Sequence, residues 1–510
     1  MKKYHSTYYT LVLLLFAVQG LIAQDVSKKK IDEASKEKFV DATYKLKAFL
    51  EIPNIGSIPD HVNNNLNWCQ STFSKLNFEV RTIKTEGAPL LFAEKKFHKK
   101  AKTILFYLQI DGQPVDATKW NQEHPFKPVL KEKVGANLWR EIDFDTLKTA
   151  RNLDWRLFAR SASDSKGPAM AFISALEIFK DKNWRPAYNI KVIMDFQEEL
   201  GSPTLAKAVF ENRDLLEADM LLIMDGTRHV SNLPTLTFGA RGIATATLKV
   251  FGPRYPLHSG QYGNFAPNPI FKAAKLIGGL KDENGKVTIP GFYEGISLSE
   301  NAKERINSLP ENIDEIKDRI GVAVIDSVGT TYQEALQYPS LNIRGLKGAW
   351  VGKEVRTVIP SEVIIEIDMR LVPESDGDRL MQLLKQYIEN QGFYLVDSIP
   401  SDEDRNKYSK LASFNYKLGS KPFRTSFNSP VGHMATKALR RIFGDKFVSM
   451  RSTGGSQPIA AFINTLNVDA ISIRIPNPDN NIHSPNENFR LGNFLEGIQT
   501  CLAILTEPIN

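Results

Sequence analysis

The chain has 510 residues, of which 42% are hydrophobic and 24% charged, a composition that excludes a disordered chain and supports two or more domains with their own cores. Two cysteines, Cys69 and Cys501, are too few for a disulfide scaffold, and neither has a metal-type CxxC spacing; they are either a pair or two buried thiols. The formal charge of +7 is modest for this length, and the basic clusters at 28–30 and 95–100 lack the interleaved aromatics that stack on bases, so they read as solvated faces and nucleic acid is not a partner.

Lys2 and Lys3 precede an apolar run over 11–18 and then Leu21, Ile22 and Ala23, the layout of a cleavable signal peptide over residues 1–23. The run is shorter than the roughly 20 apolar residues of a membrane-spanning helix. The expectation is an exported protein, periplasmic or secreted, starting near Gln24 with no stable membrane anchor. Removing the leader and its two lysines takes the formal charge from +7 to +5.

Residues 30–50 read as an amphipathic helix, and 103–110 as a continuous apolar strand of the kind buried on both faces, ending at the turn Asp111-Gly112. A helix over 168–180 and strands over 188–196 and 220–224 follow, and this alternation predicts an α/β layer with a mostly parallel sheet flanked by helices. From about residue 240 the pattern changes. Period-two alternation over 244–250 and 363–369 predicts antiparallel strands, with a helix over 376–391 packed on them. Helix-strand alternation then returns, with a helix at 431–443, a strand at 468–475 and a helix at 493–505. The expected organisation is a catalytic domain over 24–239 and 425–510, interrupted by an inserted α+β lid or dimerisation domain over 240–424.

Ligands of open α/β sheets gather at the carboxyl ends of the strands. Here those ends carry Gln109 and Asp111, Glu198 and Glu199, Asp225, and, shortly after a strand, His483; Asp164 sits just before a helix. Any one of these acids alone is more often a turn or helix cap. Together they supply the carboxylates and imidazole that a pair of divalent ions requires.

These motifs, in this order, resemble the co-catalytic zinc metallopeptidase family of aminoacylase, carnosinase, succinyl-diaminopimelate desuccinylase and glutamate carboxypeptidase, with a pattern most similar to the carnosinase-like dipeptidases. The resemblance covers nearly the whole chain after the leader. It implies a zinc-exopeptidase-like fold, two divalent metal ions, zinc foremost, and hydrolysis of an amide bond in a small peptide or N-acyl amino acid bearing a free carboxylate. By resemblance Asp164 bridges the metals, Glu199 and His483 bind one, and Asp225 binds the other. Glu198 is the general base and Asp111 orients the residue at 109. The segment Leu257-His258-Ser259-Gly260 resembles one whose histidine completes a partner's site, which implies a homodimer and a substrate-binding role for His258. Arg370 inherits the substrate carboxylate, for which a planar guanidinium is well shaped. Ser456, in the turn Gly454-Gly455-Ser456, inherits a substrate contact.

The sequence departs from this pattern at Gln109, where the family has its first metal-binding histidine. An amide oxygen is a poorer zinc ligand than imidazole and suits manganese or another harder ion at the Gln109/Asp225 position. Asp111 is expected to accept from the Gln109 amide and turn its carbonyl toward the metal. The departure also opens an alternative, a catalytically impaired exported homologue that binds peptides. Ser165 replaces a second acid without expected effect on ligation. His61, His124, His229 and His433 match no motif, and no GxSxG elbow supports a serine hydrolase.

Overall fold

The computed structural model describes residues 26–136 and 138–509, so the leader expected over 1–23 and the start near Gln24 lie outside the described residues. The chain divides into two compact units. One holds the chain through Leu236, Thr425–Ser449 and Ala461–Asn510, and the other Thr237–Arg424 with Met450–Ala460. The return segment Met450–Ala460, assigned by sequence to the catalytic domain, groups instead with the second unit. Backbone hydrogen bonds explain why: Thr453 N–H donates to Gly239 O at 2.9 Å and Arg241 N–H to Thr453 O at 3.2 Å.

In chain order the first unit begins with α1 (Lys28–Leu50), α2 (Pro59–Lys75), β1 (Glu79–Ile83), β2 (Leu90–Lys95), β3 (Thr103–Gln109), α3 (Lys166–Asp181), β4 (Asn189–Asp195), β5 (Met220–Ile223) and β6 (Thr235–Thr237). The second contributes β7 (Gly242–Phe251), α4 (Pro269–Gly278), β8 (Ser340–Lys347), β9 (Glu362–Leu371), α5 (Gly377–Asn390), β10 (Tyr394–Leu395) and β11 (Leu411–Leu418). The chain ends with α6 (Pro430–Phe443), β12 (Val448–Met450), β13 (Asp469–Arg474) and α7 (Leu491–Thr506).

An eight-stranded sheet has the order β1-β2-β4-β3-β5-β13-β6-β12. Its four central strands, β4, β3, β5 and β13, run parallel, as their continuous apolar runs predict for strands covered on both faces. The fold class read from sequence is the one observed. Leu105, Phe106, Tyr107, Val192, Ile193, Leu221 and Leu222 are almost wholly buried within it. Helices α1, α3 and α7 pack on one another, and α6 packs on α7. This surrounding accounts for α3 and α7 being apolar nearly all round, since a helix with neighbours on most sides has no polar stripe to offer water.

A four-stranded antiparallel sheet links Asn488–Arg490, Arg156–Phe158, Val129–Lys133 and Trp139–Ile142. Its pairing of Asn488 with Phe158 places the 483–487 segment beside the loop that leads to Asp164.

In the second unit β8, β9, β7, β11 and β10 form one sheet. The alternating burial of β7 and β9 turns Ala244, Ala246, Leu248, Val363, Ile365 and Ile367 toward one core, which Leu276 of α4 and Leu380, Leu384 and Ile388 of α5 complete. Cys69 and Cys501 are separate buried thiols. Among the described residues no helix is long and apolar enough to cross a membrane.

Candidate active site

Parallel register sets the floor of the site. Gln109 ends β3 opposite Asp195 at the end of β4. Tyr107 and Ser472 both pair with Ile223, so Gln109, Asp225 and Arg474 each lie two residues beyond a paired position, at the carboxyl edge of three adjacent strands.

Asp195 shapes the turn that follows β4. It accepts from Gln197 N–H at 2.9 Å, Ser202 Oγ–H at 2.6 Å and Tyr107 O–H at 2.9 Å. The next residues, Glu198–Leu200, form a single helical turn closed by Gly201 at φ 81°. Asp111 holds that turn from the other side, its two carboxylate oxygens accepting from Glu198 N–H at 2.9 Å and Glu199 N–H at 3.1 Å. The expected Asp111–Gln109 hydrogen bond is therefore corrected: the Asp111 oxygens are engaged by two backbone amides. Gln109 is 3% exposed, and neither polar atom of its carboxamide has a hydrogen-bond partner among the described residues.

Asp164 is positioned by Glu487, whose carboxylate is fully buried. Glu487 accepts from Arg160 Nη1 at 2.7 Å, from the backbone N–H of Ser161, Ser163 and Asp164 at 2.9 Å each, and from Ser163 Oγ–H at 2.8 Å. One acid so tied fixes the whole 160–164 loop, because each N–H it satisfies would otherwise be orphaned. Ser165 Oγ–H donates to Asp164 Oδ1 at 2.8 Å.

His483, in the left-handed region at φ 57°, brings Nε2 to 2.9 Å from Asp164 Oδ2 and 3.2 Å from Glu199 Oε2. Hydrogen bonds to Asp164 and then to Glu199 push its pKa up to about 11. Burial, followed by the charges of Asp225, Asp164, Glu199 and Asp111, holds the Glu198 carboxyl well above its ordinary value. The structure thus gathers Asp164, Glu198, Glu199 and His483 at one place, with Asp111 behind the turn and Asp225 close enough to repel Glu198.

Two carboxylates and one imidazole whose ligand atoms lie within 4.8 Å of one another fit a divalent ion that keeps an open position. The other side of the cluster differs in its donors. Where an imidazole is expected it has the Gln109 amide, and it adds Arg474, a guanidinium in the electrostatic field of Asp225 and Asp164. Burial pulls that guanidinium below its usual pKa while the two acids oppose the shift.

The remaining candidates belong to the second unit. His258 is exposed at the strand-to-helix step Leu257–His258, its Nδ1 accepting from Gly260 N–H at 3.0 Å. Arg370 lies on the partly exposed face of β9, with Nε 4.0 Å from Asp368 Oδ1. Ser456 is partly exposed in the Met450–Ala460 segment.

The family model of peptidase family M20/M25/M40 matches residues 105–507. The chain belongs to this family. A Beta-Ala-His dipeptidase of Mus musculus is 26% identical over 425 residues, 82% of this chain and 80% of the relative. A Cys-Gly metallodipeptidase of Schizosaccharomyces pombe is 26% identical over 421 residues, 81% of each. The crystal structure of an M20 family metallo-carboxypeptidase from Sulfolobus solfataricus superposes with a TM-score of 0.75 at 27% identity, covering 92% of this chain and 99% of that one. As an M20/M25/M40 peptidase, the chain is a metal-dependent hydrolase.

Several residues that contact or adjoin the candidate residues of this M20 chain escape the sequence reading. Gln113 Nε2–H donates to Glu199 Oε2 at 2.8 Å, orienting that carboxylate; its only signal is its place one residue after the turn Asp111-Gly112. Arg241 donates to Tyr338 O at 2.8 Å and Ser340 Oγ at 3.0 Å. Burial and then neighbouring Arg370 lower its pKa to about 10. Arg474 reads as an ordinary strand residue until β5 is placed beside β13.

Proposed function

We propose that the protein is an exported metallopeptidase that cuts an amide bond in small peptides or N-acyl amino acids bearing a free carboxylate, dipeptides foremost. The observation that carries this reading is the meeting of Asp164, Glu199 and His483 within ligand distance, next to Glu198. Asp164, Glu199 and His483 would hold the ion, zinc by the donor chemistry of an imidazole with carboxylates. A divalent ion so held polarises the scissile carbonyl and lowers the pKa of water toward neutrality.

Glu198 adjoins Glu199, and Asp111 accepts from the backbone amides of both; in this reading the Glu198 carboxylate takes the proton of the attacking water and returns it to the leaving amine. Arg370 is assigned to the substrate carboxylate on the motif resemblance. His258 is assigned to oxyanion stabilisation in a homodimer and Ser456 to a substrate contact, both on the motif resemblance.

The test is hydrolysis of a dipeptide and N-acyl amino acid panel with added zinc, manganese or cobalt, by the wild type and by His483→Ala. Turnover that depends on metal and is lost in His483→Ala is expected. No turnover under any ion overturns the reading. Gln109 motivates a second reading, peptide binding without hydrolysis, and calorimetric binding in the absence of turnover would favour it. Export is checked by fractionation and by sequencing the mature amino terminus, expected near Gln24, and the dimer by light scattering.

A further inference from the structure

The side of the carboxylate cluster that lacks an imidazole carries a permanent cation. Arg474 ends β13 with 7% of its surface exposed, and its Nε and Nη2 have no hydrogen-bond partner among the described residues. The chain makes room for it. Gly226, directly after Asp225, has φ 82°, and a Cβ built there would fall 1.4 Å from Arg474 Nη1, so the guanidinium passes over backbone that any side chain would block.

On the opposite neighbour of β5, the Gln109 carboxamide is buried and unpartnered. Strand register puts Gln109 and Arg474 on either side of Asp225. A buried guanidinium stays protonated at neutral pH and neutralises carboxylates through planar donors. A divalent ion at the same acids would face that charge at short range with only an amide in place of an imidazole.

We propose that the Arg474 guanidinium stands in for a second metal ion, so that this chain works with one divalent ion, at Asp164, Glu199 and His483. The proposal rests on the metal-dependent hydrolase reading, but it concerns only the far side of the cluster. It accounts for two features that otherwise have no common cause: an amide where a ligand is expected, and a buried cation fitted over a glycine beside Asp225.

The experiment is metal content by inductively coupled plasma mass spectrometry after dialysis against excess zinc, on wild type, His483→Ala and the double variant Gln109→His/Arg474→Met. One zinc per wild-type chain, none in His483→Ala and two in the double variant are expected. Two zincs in the wild type overturn the proposal and leave the hydrolase reading standing, as does one zinc in a folded double variant. No zinc in the wild type, together with no dipeptide turnover, overturns the hydrolase reading itself. Should the double variant not fold, an anomalous difference map of wild-type crystals at the zinc edge decides: one peak beside His483 supports the proposal, and a second peak beside Asp225 overturns it.

Discussion

The two sides of the carboxylate cluster draw on the same strand-end acids and differ in what faces them. On one side His483 closes on Asp164 and Glu199, and every supporting group is tied: Glu487 accepts five hydrogen bonds, Asp111 two, and Gln113 donates to Glu199. On the other side the Gln109 carboxamide has no partner, and Arg474 leaves two donor nitrogens unpaired, among the described residues. Acids alone do not make a metal site; the neutral donor and the shell that orients it decide which side can hold an ion.

Four substitutions break or sharpen that contrast. Glu487→Ala leaves Arg160 buried without its partner and three backbone amides unsatisfied. It is expected to cost about 3–5 kcal/mol, read as a fall in the denaturation midpoint of the first unit, and to abolish zinc retention with it. Ser165→Ala removes the hydroxyl that donates to Asp164; a hydrogen bond to a charged group is worth about 1.5–3 kcal/mol, and urea denaturation of chelator-treated protein measures it. Gly226→Ala forces a side chain into a left-handed turn at a cost of roughly 1–2 kcal/mol, and a crystal structure should show Arg474 displaced. Gln109→Met replaces an unpartnered amide by an apolar side chain of similar shape and should be neutral to within about 0.5 kcal/mol; a loss well beyond that would reveal a partner for the amide.

Much of both units is legible because their elements are strongly patterned. The apolar run 103–110 becomes the central strand β3, and the alternation over 363–369 becomes the core-facing strand β9. Helix α2 escapes notice because Asn63, Asn64, Asn65 and Asn67 interrupt its apolar spacing, although Val62, Leu66, Cys69 and Phe73 line one buried face. Edge strand β1, with four of five residues at least partly exposed, has too little alternation to announce itself.

The candidate ligands are visible as acids and a histidine at strand ends, a local property. Their supports are not local. That Asp111 serves the Glu198–Glu199 turn rather than Gln109 depends on β3 lying beside β4. Glu487 becomes the keystone of the 160–164 loop only through the pairing of Asn488 with Phe158. Arg474 acquires meaning only when Gly226 lies beneath it.

The most direct test of the central claim is the turnover of a dipeptide by Glu198→Gln against wild type, at matched zinc content. Loss of general-base catalysis predicts a fall of roughly 10²–10⁴-fold in kcat, with zinc still bound because Asp164, Glu199 and His483 are untouched. A zinc-loaded Glu198→Gln enzyme that turns over at the wild-type rate would contradict the account.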